Sequence, residues 1–221
     1  MKKFLKYCLI VVLLVVGLVL IFNQQIKNAL VDHMTNSAVS TTVVKADQNS
    51  KKANFDFKKI KAVDSQMVVS AATSAKNAAI GKIAMPSVGL KLPIFEGLNN
   101  EDLVRGAGTM KQGEQMGAEG NYALAGHHMK DAKLLFGPLA DAKLGDKIYV
   151  TDEKKVYVYT TTLKTVVNKS EVQYIYDEPG KKMITLVTCA SGEDGEVDRT
   201  IIQGELAEVL DATKENLKYF N

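Results

Sequence analysis

The amino-acid sequence predicts a mainly β protein, a closed or nearly closed β-barrel with short helices, preceded by one N-terminal transmembrane helix. Its 221 residues contain about eight short stretches in which apolar and polar positions alternate, separated by glycine and proline. Val, Ile, Thr and Tyr, which favour strands, dominate these stretches. Few segments have helical periodicity, and many short strands at close spacing are typical of barrels.

The first 22 residues predict the transmembrane helix. Lys2, Lys3 and Lys6 precede an uncharged apolar stretch at 7–22. A secretory signal peptide has the same layout, but no small-x-small cleavage site follows directly, so we favour an uncleaved signal-anchor. The lysines would then stay cytoplasmic and the rest of the chain would face outward. For Cys8, inside the apolar stretch, we favour a lipid-facing role over palmitoylation.

Residues 23–79, between this helix and the barrel, are polar and rich in alanine and lysine. We expect an extracellular, membrane-proximal linker, partly helical. We favour a role in holding the folded part away from the bilayer, and the alternative is that it packs on the folded part. Within it, 24–34 would continue the membrane helix, 37–54 would form a spacer and 55–65 a short amphipathic helix. The expected domains are 1–22, 23–79 and 80–221.

The barrel is expected to begin near Ile80. Strands are predicted at 80–86, 90–95, 121–126, 146–151, 154–167, 182–189 and 199–206 because apolar residues alternate there with period two. A single helical turn is expected at 99–104, begun by Asn99. A short helix is expected at 133–139, where Gly137 and Pro138 would end it.

The composition does not support a nucleic-acid surface. The formal net charge is +3, and Lys2, Lys3 and Lys6 account for all of it, which leaves 25 basic and 25 acidic residues. No basic excess then remains to bind phosphate backbones.

Cysteine is rare in this chain, since there are two and one of them lies in the membrane stretch. Arginine is rare as well, because Arg105 and Arg199 stand against 26 lysines.

Three side chains have the chemistry for acyl transfer through a thioester. Cys189 ends the apolar run 184–189 and precedes an acidic loop, and a lone thiol in an exported chain is either a cross-link or a reactive group. Arg199 begins an alternating strand and carries a planar fork of donors that lysine lacks. If the strands of Cys189 and Arg199 pair antiparallel, these residues are neighbours at one rim. His127, at the end of another strand, would complete the cleft.

Each of these residues also has a structural interpretation that the residues alone leave open. Cys189 would be a small buried hydrophobe, His127 a polar surface or capping residue, and Arg199 a solvated charge at a strand end. The doublet His127-His128 also suggests a metal site, but no further ligands stand at zinc spacing.

The motifs resemble those of a known family. Thr-Leu-Val-Thr-Cys at 185–189 resembles the TLxTC signature of sortases, Leu-Ala-Gly-His at 124–127 resembles their histidine motif, and Arg199 resembles the start of their arginine strand. The resemblance extends over 80–206 and implies an eight-stranded sortase-type β-barrel. A single N-terminal anchor resembles class A, the housekeeping group of Gram-positive bacteria. Pilus-polymerising sortases usually add a C-terminal anchor and a lid.

This resemblance implies a cysteine transpeptidase with 80–221 as its catalytic domain. Cys189 would attack the Thr–Gly bond of an LPxTG-type sorting signal and form a thioacyl-enzyme. His127 would act as general acid and base, and Arg199 would hold the substrate and stabilise the oxyanion. The acceptor would be the amine of a lipid-linked peptidoglycan precursor or a cell-wall cross-bridge. The enzyme would be a single-pass protein of the cell membrane with an extracellular catalytic domain.

Substrate contacts are expected around a loop as well as within the motifs. The segment 169–180 should be mobile and close over the sorting peptide, with three of its side chains against the Leu and Pro of the signal. The full expected set is Ala125, Val172, Tyr174, Ile175, Val187 and Thr188.

No cofactor is expected to be required. Some sortases bind calcium through acidic residues near the strand before the histidine and in the loop before the cysteine strand. The residues in the corresponding places are Glu114, Glu119, Asp177 and Glu178. Nearby lysines oppose a calcium site, so we favour a solvated acidic surface.

Other protein classes fit the sequence less well. An L,D-transpeptidase needs a Ser-His-Gly-Cys arrangement that the chain lacks, and a papain-like protease places its cysteine before its histidine. Within the resembling family, a pilin-polymerising or class-D-like enzyme is the alternative. Outside it, the alternative is a non-enzymatic, membrane-anchored wall-binding scaffold with a buried cysteine.

Overall fold

Eight strands form one closed barrel in the computed structural model, which describes residues 2–45, 53–74, 76–193 and 195–220. They are β1 (Gly81–Met85), β2 (Leu90–Phe95), β3 (Ala107–Thr109), β4 (Gly120–Ala125), β5 (Lys147–Thr151), β6 (Lys155–Asn168), β7 (Lys182–Cys189) and β8 (Asp198–Asp211). Around the wall their order is β1-β2-β3-β4-β7-β8-β6-β5. The prediction of a closed β-barrel is therefore confirmed.

Seven of these strands coincide with stretches predicted from alternation, and β3 does not. Three residues, Ala107–Thr109, are too few to present an alternating pattern. This strand forms because its neighbours hold it, in parallel with β2 and antiparallel with β4.

Two strand pairings bring the candidate residues to one end of the barrel. β4 runs parallel to β7, with Ala125 opposite Val187, so both strands end at the same rim. β8 runs antiparallel to β7 and begins at that rim, with Arg199 opposite Cys189. We call this end the Cys189 rim.

The barrel interior is filled by apolar side chains that alternate with outward-facing ones along each strand. Tyr159 is the largest side chain among those with no exposed surface. The fully buried strand residues packed with it include Ile83, Ile94, Leu124, Ile148, Ile184, Leu186 and Ile202. Burying such side chains contributes about 1.5–3 kcal/mol each, so the barrel needs no disulfide to be stable.

Four α-helices accompany the barrel in the described residues: α1 (Lys2–Ile21), α2 (Asn23–Val39), α3 (Ser65–Thr73) and α4 (Asn100–Leu103). Within α1, the stretch Lys3–Ile21 is apolar and unburied, with a mean hydropathy of 2.9. Its 19 residues span about 28 Å at 1.5 Å per residue, close to the thickness of a bilayer's hydrocarbon core, about 30 Å. By length and composition α1 is a candidate membrane span.

Helices α2 and α3 pack on the barrel instead of standing apart from it. Val31 and Met34 of α2 and Met67 and Val68 of α3 are buried in the same apolar cluster as the barrel interior. The expected spacer at 37–54 begins inside α2, and the N–H of Val44 then donates to the carbonyl of Ala79 at 2.8 Å. Residues 46–52 of that spacer lie outside the described residues.

Two short helices lie elsewhere than the sequence predicts. Instead of a helix at 55–65, there is a 3-10 turn at Phe57–Lys59, and α3 starts at Ser65. Asp64 starts α3, because its carboxylate accepts the N–H of Met67 at 2.7 Å as an N-cap. Instead of a helix at 133–139, there is a 3-10 helix at Gly137–Asp141. Proline near its start is favourable because the first N–H groups of a helix have no internal partner.

Candidate active site

Cys189 is the last residue of β7 and lies half-buried at the rim. Alternation along the strand gives it the same outward face of the barrel wall as Thr185 and Val187. Immediately after it, the N–H of Ala190 donates to the carbonyl of Asp198 at 3.0 Å. The thiol is therefore placed by a paired strand, while the chain on its far side leaves the wall.

Arg199 lies directly across the β7–β8 ladder from Cys189. Paired residues in an antiparallel ladder have Cβ atoms about 4.5–5.5 Å apart on the same face. The Nη1 atom of Arg199 donates to the carbonyls of Glu196 at 3.0 Å and Asp198 at 2.9 Å. A guanidinium has five N–H donors, so these two contacts orient it and leave donors for a ligand.

His127 reaches the same rim from β4. The N–H of Gly126 donates to the carbonyl of Val187 at 3.1 Å, which extends the β4–β7 pairing by one residue. Gly126 also packs directly on the ring of Phe136, where any Cβ would overlap it. This close approach explains why glycine precedes the histidine.

The imidazole of His127 is buried, with 8% of the residue's surface exposed. Its Nε2 atom has no hydrogen-bond partner within the described part of the chain. Burial lowers the pKa of His127 to about 4, because a charged ring loses its hydration inside the protein. The ring is therefore neutral at pH 7, the form that can accept a proton.

His128 contacts the backbone of Cys189 directly, a role that the sequence does not indicate. Its Nδ1 lies 3.0 Å from the carbonyl oxygen of Cys189, so Nδ1–H is the donor in this hydrogen bond. The doublet with His127 is the only sequence signal for this role. The contact ties the segment after β4 to the end of β7.

The loop after Cys189 folds against the same segment. Gly192 lies on the backbone of Met129 and Lys130, where a Cβ would overlap the carbonyl of Met129. The Ser191 hydroxyl, at the start of the loop, donates to the carboxylate of Glu196 near its end, at 2.6 Å. This hydrogen bond holds the pKa of Glu196 below its usual range. Gly192 and the segment after His128 thus pack together beside Cys189.

Three of the expected substrate contacts come together on the outer face of the barrel. Ala125, Ile175 and Val187 belong to one apolar cluster, which adjoins Cys189 along β7. Val172 is exposed to 47% and lies in the 3-10 helix Val172–Ile175 of the β6–β7 loop.

Thr188 is not part of this outer face. Strand alternation turns its side chain to the opposite side of the wall from Cys189, and 3% of its surface is exposed. Its hydroxyl has no hydrogen-bond partner among the described residues. As a direct contact of a peptide lying along the outer face, Thr188 does not fit the geometry.

The β6–β7 loop is fastened to the barrel through the carbonyl of Tyr174. That oxygen accepts hydrogen bonds from the side chains of Asn121 at 2.9 Å, Thr185 at 3.1 Å and Gln203 at 2.9 Å. The three donors come from β4, β7 and β8, and each is buried. Asn121 and Gln203 are functional candidates that sequence reasoning misses. The sequence signal for Asn121 is a polar residue on the otherwise apolar strand β4, and Gln203, on the mixed strand β8, has no such signal.

Glu114, the first calcium candidate, accepts hydrogen bonds from backbone N–H groups. Its carboxylate accepts the N–H of Met110 at 3.0 Å and of Ala123 at 2.9 Å. Burial nevertheless raises the pKa of Glu114 to about 7. Its hydrogen bonds serve to hold the loop between β3 and β4.

The other three calcium candidates also accept hydrogen bonds from nearby donors: Asp177 from Lys111 at 2.6 Å, Glu178 from Lys181 at 2.6 Å, and Glu119 from the N–H of Gly180 at 2.9 Å. Within the described ranges, no group of three or more His, Cys, Asp or Glu side chains is placed to hold a metal ion. In this conformation these carboxylates hold the loops around β4 and β7 in place.

Comparison with known proteins agrees with this geometry. The model of the Sortase domain matches residues 83–207, which include all eight strands in whole or in part together with His127, Cys189 and Arg199. The chain belongs to the sortase family. It is therefore a cysteine transpeptidase, and the alternative of a non-enzymatic, wall-binding scaffold is wrong.

Individual relatives narrow the class. Sortase A of Streptococcus agalactiae serotype III is 43% identical over 92% of this chain and 85% of its own. Sortase A of Listeria monocytogenes is 39% identical over 98% of both chains. The crystal structure of the Listeria sortase A has a TM-score of 0.62 and covers 65% of this chain and 98% of its own. These similarities identify a class A sortase.

Proposed function

We propose that this sortase cleaves an LPxTG-type sorting signal between Thr and Gly and joins the released acyl group to the amine of a peptidoglycan precursor. The observation that carries the proposal is the register of β7 and β8, which places Arg199 directly opposite Cys189. A nucleophile and a donor fork side by side at an open rim suit an acyl transfer that develops negative charge on oxygen.

In the first half-reaction, the Cys189 thiol gives its proton to the imidazole of His127 and the thiolate attacks the Thr carbonyl. The thiolate is the active nucleophile of a cysteine. The oxyanion forms beside Arg199, whose donors stabilise it. His127 then returns the proton to the departing Gly nitrogen, the peptide bond breaks and a thioester remains on Cys189.

The second half-reaction reverses these steps with a different amine. The incoming amine attacks the thioester carbonyl and loses a proton to His127, and the thiolate of Cys189 departs and is reprotonated. A neutral imidazole suits this exchange, because it accepts the first proton without prior deprotonation. Thiol, imidazole and guanidinium supply every group required, so the proposal includes no cofactor.

The apolar cluster beside Cys189 supplies the proposed binding site for the sorting signal. Ala125, Val187 and Ile175 would contact its Leu and Pro, with Val172 and Tyr174 closing from the β6–β7 loop. The hydrogen bonds to the Tyr174 carbonyl then hold this part of the loop on the barrel, while the exposed Val172 adjusts to the peptide.

We further propose that α1 anchors the enzyme in the cell membrane with its lysines cytoplasmic, as the positive-inside rule favours. Residues 1–22 would be the anchor, 23–79 the extracellular membrane-proximal part and 80–221 the catalytic domain. Surface proteins with sorting signals and the lipid-linked or cross-bridge amine of the wall would be its partners.

The test uses the full chain in detergent micelles, because removing α2 and α3 would expose buried side chains such as Val31 and Val68. A quenched LPxTG peptide and an oligoglycine or alanine amine are supplied, and mass spectrometry follows cleavage and ligation. We expect a ligated product that is absent with Cys189→Ala. Cleavage without ligation to either amine would contradict the proposed acceptor.

One variant and one alternative substrate separate the parts of the proposal. Replacing Val172, Tyr174 and Ile175 with alanine should raise KM for the peptide, and an unchanged KM would remove this loop from the binding site. Offering a lysine-bearing pilin peptide tests the pilin-polymerising alternative, since ligation to a lysine ε-amine in preference to the wall-type amine would favour it.

A further inference from the structure

The membrane helix and the barrel are joined by helical hydrogen bonding without a break. At the junction, the N–H of Phe22 donates to the carbonyl of Leu18, and the N–H of Ile26 donates to that of Phe22, both at 2.9 Å. Phe22 itself has φ −96° and ψ 13°, a local bend and not a loop. Where α1 leaves a bilayer, α2 therefore starts at once, and the position of the barrel is set by its contacts with α2.

The first turns of α2 contact the barrel near the Cys189 rim. Asn28 donates to the carboxylate of Asp131 at 3.3 Å, and Asp131 follows His127 by four residues. Nearer still to the membrane helix, Ser65 donates to Asn23 at 3.0 Å. The segments around Ser65 and Asp131 thus lie level with the start of α2.

The opposite end of the barrel lies beyond the far end of α2. There the N–H of Val43 donates to Glu153 at 3.2 Å, in the turn between β5 and β6. Strand β6 begins beside this turn, and its other end pairs Val167 with Arg199. The turn at Glu153 and the Cys189 rim are therefore at opposite ends of the barrel.

Helix geometry converts these contacts into heights above the bilayer. Asn28 is five residues beyond Asn23, a rise of at most about 8 Å at 1.5 Å per residue. The polar region on each side of a bilayer is about 5–8 Å thick. Asp131 is consequently next to the headgroups, whereas the end of α2 at Val39 is up to about 24 Å from its start.

The surface at this level carries a small excess of positive charge. Three lysines, Lys61, Lys130 and Lys133, stand against two carboxylates, and Lys130 is paired with Glu193 at 3.4 Å. We define the membrane-proximal face as residues 61–65 and 130–133. Its two acidic side chains are occupied by N–H groups: Asp64 accepts that of Met67, and Asp131 that of Lys133. Lys61 and Lys133 are exposed and form no ion pair with any described residue.

We infer that the membrane-proximal face lies on the outer leaflet of the bilayer that holds α1, with Lys61 and Lys133 bound to anionic headgroup phosphates. The inference rests on the proposed membrane anchoring. Its consequence is that the Cys189 rim faces the membrane and the Glu153 turn faces away. An amine acceptor that is still attached to a lipid would then meet the thioester at the bilayer surface.

The test places a fluorophore at either end of the barrel in the full chain. Cysteine is introduced as Lys133→Cys or, as the matched control, Lys154→Cys, in a Cys8→Ser, Cys189→Ala background. The labelled proteins are reconstituted in phosphatidylglycerol vesicles that contain a lipid with a nitroxide on its headgroup. Nitroxide quenching acts at short range, and the heights of the two ends differ by about 16 Å between Asn28 and the end of α2. We therefore expect quenching at 133 to exceed that at 154 about fivefold or more.

A second measurement tests the lysines. With the fluorophore at Gln66→Cys, quenching should be stronger in phosphatidylglycerol than in phosphatidylcholine. This preference for phosphatidylglycerol should fall by about fivefold in Lys61→Gln and again in Lys133→Gln. A basic residue near an anionic membrane surface strengthens its attraction to that surface by about this factor. Lys154→Gln should leave the preference unchanged.

The outcomes separate this inference from the proposed function. Equal quenching at both ends, or stronger quenching at 154, overturns the orientation, and a preference for phosphatidylglycerol that survives both lysine substitutions overturns the headgroup contact. Peptide ligation by unlabelled wild-type protein in the same vesicles reports on catalysis independently. Flotation of the vesicles reports on anchoring, and protein that stays behind overturns both the anchoring and the orientation.

Discussion

Lowering the pH from 7 to 4 should destabilise the folded chain through the buried imidazole of His127. The pKa of this ring is about 4 in the folded chain, against an ordinary 6.5. Because the folded state binds the proton less tightly than the unfolded state, stability is complete above 6.5 and is lost as the pH falls towards 4. Below about 4 both states are protonated and the loss levels off.

The difference between the two pKa values corresponds to about 3 kcal/mol. In a chain of this size, that amount lowers the melting temperature by about 6–12 °C. Other groups titrate in the same range, and Glu114, whose pKa burial raises to about 7, acts in the opposite direction. The effect of His127 must therefore be measured as a difference between wild type and a variant.

The assay is thermal unfolding of the full chain in detergent, followed by circular dichroism of the barrel between pH 7.5 and 4. His127→Gln removes the titrating ring and should make the barrel less sensitive to acid than wild type by the amount above. His128→Gln is the matched control and should keep the wild-type sensitivity. Parallel curves for wild type and His127→Gln would show that the ring is not held neutral by burial.

Three further outcomes are expected. Arg199→Lys should lower kcat/KM by about 10² or more, because a point charge cannot replace the fork at the oxyanion; near-normal turnover in the peptide assay would refute its role. Asn121→Ala should cost about 2 kcal/mol of unfolding free energy and raise KM, since it removes one of the three donors to the Tyr174 carbonyl; an unchanged KM would show that this hydrogen bond does not contribute to binding. Calcium or a chelator should leave kcat/KM unchanged, and activation by calcium would show that Asp177 and its neighbours exchange their donors for the ion.

The barrel was largely predictable because seven of its eight strands each carry their own signal. Alternation over 182–189 and 199–206 marks β7 and β8 without knowledge of any other part of the chain. The Ala107–Thr109 strand has no such signal, since it forms only where β2 and β4 leave room for it. The helix at Ser65–Thr73 has an Asp64 cap that the sequence displays, and the prediction at 55–65 overlooked it.

The sequence nominates the principal residues of the candidate site, and it does not show which residues hold them in place. Cys189, His127 and Arg199 could be named because their chemistry is rare in this chain and their motifs resemble a family. The contact of His128 with the Cys189 carbonyl and the inward orientation of Thr188 depend on how strands sit side by side. Neither follows from a residue's own neighbours in sequence.

The sequence by itself determined the apolar N-terminal helix and most strands of the barrel, and it nominated the three candidate side chains of the site, because period, composition and residue chemistry are local properties. Only the tertiary structure decided that α2 and α3 pack on the barrel and that the Tyr174 carbonyl is fastened from three strands. It also decided that the Cys189 rim lies beside the start of α2. These facts arise from contacts between residues distant in the chain, such as Asn28 and Asp131, whose meeting is set by barrel closure and shared burial.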